Sequence, residues 1–116
     1  MFETNVWGAV RTMLAVVEGL RERGSVVIVN VSSTGIDVPV PGNGVYAMTK
    51  AAVIQMTKAL ALEWARYDIQ VNALLPGWID TDLTVSARRE VPGLNERVLA
   101  RTPAARWGDP ADFEAI

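Results

Sequence analysis

Three residues of this chain could share one piece of acid–base chemistry. Tyr46 and Lys50 stand four apart at the head of an apolar run, "YAMTKAAV", so a helix there carries both tips on one face. A tyrosine hydroxyl has a reference pKa of about 10, too high for general acid–base work near neutrality. An ammonium beside it favours the phenolate and lowers that value. Ser33, thirteen residues before Tyr46, closes a run rich in β-branched residues. A hydroxyl there lies at the carboxyl end of a strand, where open α/β sheets place ligands. It could hold a carbonyl or alcohol oxygen while the tyrosine moves the proton. That arrangement suits hydride exchange at the carbon of a C=O/CHOH pair, with a nicotinamide as the hydride partner. Each residue also has a plainer reading. A Tyr–Lys pair at this spacing occurs on ordinary helix surfaces, and a serine after a strand is commonly a turn residue. An asparagine such as Asn5 is commonly a helix cap.

The elements that must position these residues follow from periodicity. Residues 5–23 carry Val6, Val10, Met13, Leu14, Val17 and Leu20 at helical spacing, with Thr4 or Asn5 as caps, a basic last turn and Gly24 as the stop. "SVVIVNVSS" is a strand apolar on both faces, a pattern of strands buried inside parallel sheets. "TGIDVPVPGNG" is a Gly/Pro loop, and residues 46–67, rich in Ala, Leu, Met and Lys, form the longest helix. "IQVNALLPG" is a second short strand. The polar stretch after it is broken by Pro92, Gly93 and Pro103 and reads as short helices and loops, with residues 82–108 as a substrate lid. Asp109–Pro110 has the signature of a further helix start. Strand–helix–strand calls for a crossover and a parallel sheet, hence an α/β fold. Two strands do not make an independently stable sheet, so the chain is expected to be part of a longer protein.

Composition removes several other classes. The chain has 116 residues and a net charge of −2, which gives no electrostatic case for nucleic acid or an anionic membrane. It has no cysteine, so no disulfide framework and no thiolate chemistry, in keeping with a cytoplasmic location. It has no histidine, which removes a Ser/His triad and most zinc sites, and no metal is expected. No basic-then-apolar leader opens the chain, and no run approaches the roughly 20 apolar residues of a membrane span. Of the four tryptophans, Trp7 and Trp64 read as helix packing residues, whereas Trp78 has a fairer claim to a site wall. The arginines between 88 and 106 read as a solvated basic face.

Taken together, "NVSS", "YAMTK" and "VNALLPGWIDT", in this order and spacing, resemble the short-chain dehydrogenase/reductase family. The resemblance runs from about Asn5 to Gly108. It implies a Rossmann-type doubly wound parallel sheet, here partial, with the order helix, strand, helix, strand, lid across one domain of residues 1–116. It implies a catalytic set of Asn5, Ser33, Tyr46 and Lys50, where Asn5 stands 28 residues before Ser33 at the opening of its helix. Tyr46 would be the general acid/base and would also contact the cofactor. Lys50 would lower its pKa and hold the nicotinamide ribose, Ser33 would orient the substrate oxygen, and Asn5 would support a proton relay through water. Pro76 and Gly77 match the family's Pro-Gly after the last strand and would contact the cofactor, and Ile79 and Thr81 would hold the nicotinamide carboxamide. The implied cofactor is NAD or NADP, the substrate a small alcohol or carbonyl compound, and the assembly a homo-dimer or homo-tetramer.

Where the sequence departs from the family, the expectation narrows. The Gly-rich dinucleotide fingerprint belongs on an earlier strand–helix turn, together with the residue that separates NAD from NADP. "PVPGNG" has the wrong spacing and follows the wrong strand for that role. The chain is thus expected to be the catalytic half of such an enzyme, truncated at both ends. The alternatives are an inactive fragment or pairing module, or an epimerase or dehydratase on the same scaffold, against which "PGWIDT" weighs.

Overall fold

A computed structural model describes residues 1–37 and 40–116; Val38 and Pro39, in the middle of the expected Gly/Pro loop, lie outside the described residues. The chain divides into two compact units, Met1–Pro76 and Gly77–Ile116.

The first unit opens with a π-helical turn, Glu3–Trp7, that runs into helix α1, Gly8–Arg23. No side chain caps this entry, and Asn5 lies inside the π turn rather than ahead of the helix. The expectation of an asparagine or threonine cap is therefore corrected. The Asn5 amide is drawn instead to Thr49 on another helix, 2.9 Å away. Single π turns are uncommon in helices and often mark functional positions. The far end of α1 behaves as its sequence says. Gly24 takes a left-handed φ of 61° without a Cβ penalty, and its N–H donates to the Leu20 carbonyl.

Strands β1, Val26–Val31, and β2, Ile69–Leu74, pair in parallel, in register from Val26↔Ile69 to Val31↔Leu74. Helix α2, Gly44–Trp64, connects them. The single helix expected over 46–67 is thus two pieces, because the chain tightens into a 3-10 turn, Ala65–Tyr67. Asp68 then takes a left-handed φ of 56° and turns the chain into β2. The Asp68 carbonyl accepts from Val26 N–H, which ties the two strand starts together.

Both helices cover the same face of the sheet. Val17 of α1, Trp64 of α2, and Ile69 and Val71 of β2 form the buried centre, with Val26 and Ile28 of β1 packed against it. The opposite face differs from the sequence expectation of a strand buried on both sides. Val27, Val29 and Val31 are 62%, 42% and 55% exposed, since no described element lies over them. Parallel strands read apolar on both faces in anticipation of two covering layers, and one layer is present among the described residues.

The second unit holds helices α3, Asp82–Glu90, and α4, Leu94–Arg101. Thr81 caps α3 in a reciprocal box with Thr84, and Gly93 at φ 71° leads into α4. The helix start expected at Asp109–Pro110 is a 3-10 turn, Pro110–Phe113, capped by Asp109. An isolated parallel bridge joins Ile79 to Gly108, with Asp80 N–H donating to the Gly108 carbonyl at 2.8 Å and Gly108 N–H to the Trp78 carbonyl at 2.9 Å. Among the described residues no helix is long and apolar enough to cross a membrane.

Candidate active site

The residues picked out by chemistry converge at the carboxyl end of β1. Ser33 follows the strand and caps a 3-10 turn, Thr34–Ile36, its Oγ accepting from the Gly35 N–H at 3.1 Å. That bond occupies a lone pair and leaves the hydroxyl proton free to donate. Gly35 marks how close the neighbouring groups come. A Cβ built on it would stand 3.3 Å from Ser33 Oγ and 3.9 Å from Tyr46 Cε1. The serine hydroxyl and the tyrosine ring edge therefore flank one glycine.

Tyr46 and Lys50 lie on the first turns of α2, as their spacing predicts. The Lys50 ammonium stands 5.8 Å from the centre of the Tyr46 ring and donates to the Val31 carbonyl at 3.1 Å. Of its three donors one is thereby committed, leaving two for hydroxyl partners, the number a ribose diol needs. The backbone of the same residue is held too, because Ser32 Oγ donates to the Lys50 carbonyl at 2.8 Å. Pro76 sits at the end of β2, where its carbonyl accepts from the Thr34 N–H at 3.1 Å. The turn that carries Ser33 is thus anchored to the neighbouring strand end.

Asn5 joins this group through Thr49, whose hydroxyl accepts from Asn5 Nδ2 at 2.9 Å and donates to the Tyr46 carbonyl at 2.7 Å. No sequence motif singles out Thr49, Ser32 or Gly35. A hydroxyl three residues beyond Tyr46, on an otherwise apolar helix stretch, was the available clue for the first. Ser32 and Gly35 carry no such signal, because what matters is what each faces after folding. Among the described residues the buried polar ones are Asn30, Ser32, Thr49 and Thr57, and each takes part in a hydrogen bond that reaches another element or links two turns of α2.

Gly77, Ile79 and Thr81 belong to the second unit. Their segment is clamped by the bridge to Gly108 and by Thr84, whose Oγ1 donates to the Ile79 carbonyl at 2.6 Å. Asp80 forms an ion pair with Arg88, and the Arg88 guanidinium lies 4.3 Å over the Trp107 ring. Trp107 in turn meets Trp78 edge to face at 5.7 Å. Arg88 is therefore a packed residue, which corrects the reading of a solvated basic face at this position. Trp7 is 53% exposed, in contrast to the buried Trp64. Farther along, Arg106 and the Asp109 N–H hydrogen-bond the Asp112 carboxyl and hold its pKa down at about 2. Among the described residues no cluster of acidic side chains is arranged to hold a metal ion.

Comparison with known proteins identifies the chain's relatives. The profile of a family described as enoyl-(acyl carrier protein) reductase matches residues 1–116. The chain is 37% identical over 98 residues to a 2-dehydro-3-deoxy-D-gluconate 5-dehydrogenase of Formosa agariphila, covering 84% of this chain and 37% of the relative. It is 35% identical over 113 residues to an acetoacetyl-CoA reductase of a Synechocystis species, covering 97% and 46% respectively. Among solved structures, a gluconate 5-dehydrogenase from Burkholderia cenocepacia in complex with NADP and tartrate superposes with a TM-score of 0.85 at 35% identity, over 94% of this chain and 42% of that one. The chain thus spans less than half the length of each of these three proteins.

Proposed function

Since this chain belongs to the short-chain dehydrogenase/reductase family, we propose that it carries the proton-transfer part of an NAD(P)-dependent oxidoreductase interconverting a hydroxyl and a carbonyl. Tyr46 is the general acid/base: its hydroxyl gives a proton to the substrate oxygen in reduction and takes one in oxidation. Lys50 supplies the positive charge that stabilises the phenol oxygen as its proton leaves, and its remaining donors suit a nicotinamide ribose. Ser33 orients the substrate oxygen with its free hydroxyl proton. Asn5 supports the relay that returns protons to Tyr46. Pro76 and Gly77 contact the cofactor, Ile79 and Thr81 hold its carboxamide, and residues 82–108 act as the substrate lid. A bound NAD or NADP supplies or accepts the hydride.

One observation supports this reading most. Ser33 Oγ and the Tyr46 ring edge flank Gly35, with the Lys50 ammonium 5.8 Å from that ring. A donor, a proton carrier and a positive charge on one strand end form a set that an oxyanion intermediate needs. The NADP bound in the Burkholderia relative supports the cofactor class. The substrate class follows as small alcohols or ketones. The protein is proposed to act in the cytoplasm and to assemble as a homo-dimer or homo-tetramer; exposed apolar side chains on α1 and α2 such as Leu14 and Leu62 support the assembly. A monomer in sedimentation equilibrium contradicts that last point.

The test is direct. A protein in which this chain is preceded by a Gly-rich dinucleotide-binding segment is mixed with NADH or NADPH and a panel of β-keto acids, ketones and β-ketoacyl thioesters, and the nicotinamide absorbance is followed. Consumption of one dinucleotide with one ketone class is expected. Binding of neither dinucleotide, and no consumption with any ketone, overturns the proposal.

A further inference from the structure

Thr49 is the largest described side chain with less than 2% of its surface exposed, and it is polar. It stands on α2 between Tyr46 and Lys50. A threonine hydroxyl has one proton, and this one goes to the Tyr46 carbonyl at 2.7 Å. The oxygen is left as an acceptor, and it takes the Asn5 amide nitrogen at 2.9 Å across 44 residues of sequence.

Two consequences follow. Only the NH2 end of an amide can face a lone pair, so Thr49 fixes which way the Asn5 amide points and turns its oxygen away, free to accept from another donor. The same hydroxyl ties the π turn holding Asn5 to the helix turn holding Tyr46. A second pair on the same helix has the same chemistry without this connection. Thr57 Oγ1 donates to the Val53 carbonyl at 2.8 Å and accepts from Asn30 Nδ2 at 2.9 Å. Thr57 is also buried, but its partner is strand residue Asn30. The molecule therefore contains its own control.

We propose that Thr49 is a positioning residue for proton transfer, setting the Asn5 amide and coupling it to the turn that carries Tyr46. The inference rests on the roles given above to Asn5 and Tyr46. Its test uses the protein with its dinucleotide bound, and also without it. Thr49→Val keeps the volume and removes both hydrogen bonds, and it is expected to lower kcat about tenfold, the effect of one lost hydrogen bond in the transition state. KM should stay within about twofold. Thr49→Ser, which keeps the oxygen, should restore kcat, and Thr57→Val should leave kcat unchanged. Without dinucleotide, the Asn5 side-chain amide protons should exchange slowly with water in the wild type and in Thr49→Ser, and rapidly in Thr49→Val.

A Thr49→Val enzyme with kcat within about twofold of wild type overturns the inference. So does an equal loss of kcat in Thr57→Val, or fast exchange of the wild-type Asn5 amide. If Thr49→Val does not fold, the wild-type amide exchange decides alone: slow exchange supports the inference and fast exchange overturns it. Turnover retained by Tyr46→Phe would instead remove the underlying reading of Tyr46, so the two failures are distinguishable.

Discussion

The Lys50 ammonium and the Val31 carbonyl, 3.1 Å apart, join the first turns of α2 to the last residue of β1. One residue on, the bond is returned, with Ser32 Oγ donating to the Lys50 carbonyl. The lysine is held at both its tip and its backbone, so its charge is placed by the strand end rather than by its own flexible stem. A cation that is already ordered costs little reorganisation when negative charge develops beside it.

Lys50→Met removes that charge and keeps most of the stem. Turnover should fall about 10²- to 10³-fold, and the dinucleotide should bind more weakly because a ribose donor is lost. Steady-state rates and a fluorescence titration with NADPH check both arms. Unchanged dinucleotide affinity contradicts the ribose role.

Gly35→Ala tests the convergence of Ser33 and Tyr46. The new methyl would sit 3.3 Å from Ser33 Oγ, tighter than an ordinary contact, and would face the Tyr46 ring edge at 3.9 Å. The serine hydroxyl must shift by a few tenths of an ångström, so kcat/KM should fall about tenfold while the thermal midpoint stays within a few degrees. A variant as active as wild type would show that this hydroxyl needs no fixed position.

Thr57→Val leaves the buried Asn30 amide without its acceptor. Stability should fall by about 1–3 kcal/mol, the cost of an orphaned buried polar group, measured as a shift of the urea midpoint. No shift would mean that the Asn30 amide finds another partner.

Asp112 supplies a pH dependence. Its pKa is lowered from 3.8 to about 2, first by the Arg106 hydrogen bond and then by the Asp109 N–H. A depressed carboxylate pKa contributes stability that is present above the ordinary value and lost as pH falls through the lowered one. The Asp109 amide, which donates to Asp112 Oδ2 at 2.8 Å, should stay protected near pH 4 and lose protection as the solution approaches about pH 2. Asp112→Asn should abolish that acid step, with amide exchange at Asp109 as the readout.

What the sequence made legible was what depends on local pattern. The parallel pair β1 and β2, the helix carrying Tyr46 and Lys50, the Gly24 stop, and the cap at Asp109 all follow from residue type and spacing. The exposed face of Val27, Val29 and Val31 is a miss because only one covering layer is present among the described residues, whereas three other misses share one cause. Asn5 leaves the cap position because Thr49, distant in sequence, offers its amide an acceptor. The long helix breaks before Tyr67 because Asp68 adopts a left-handed turn that registers the two strand starts. Arg88 packs on Trp107 because Asp80 and the bridge to Gly108 bring those segments together. In each case a tertiary partner decided between local options that the sequence left equal.

The central claim is that Tyr46 moves the proton. It is tested most directly by a single-turnover comparison of wild type and Tyr46→Phe, with the dinucleotide pre-bound and nicotinamide absorbance followed after adding the ketone. The phenyl ring keeps its edge beside Gly35 and removes only the hydroxyl. The account predicts unchanged dinucleotide affinity and a hydride-transfer rate lower by about 10³-fold. A Tyr46→Phe protein that reduces the ketone at a rate near that of the wild type would contradict it.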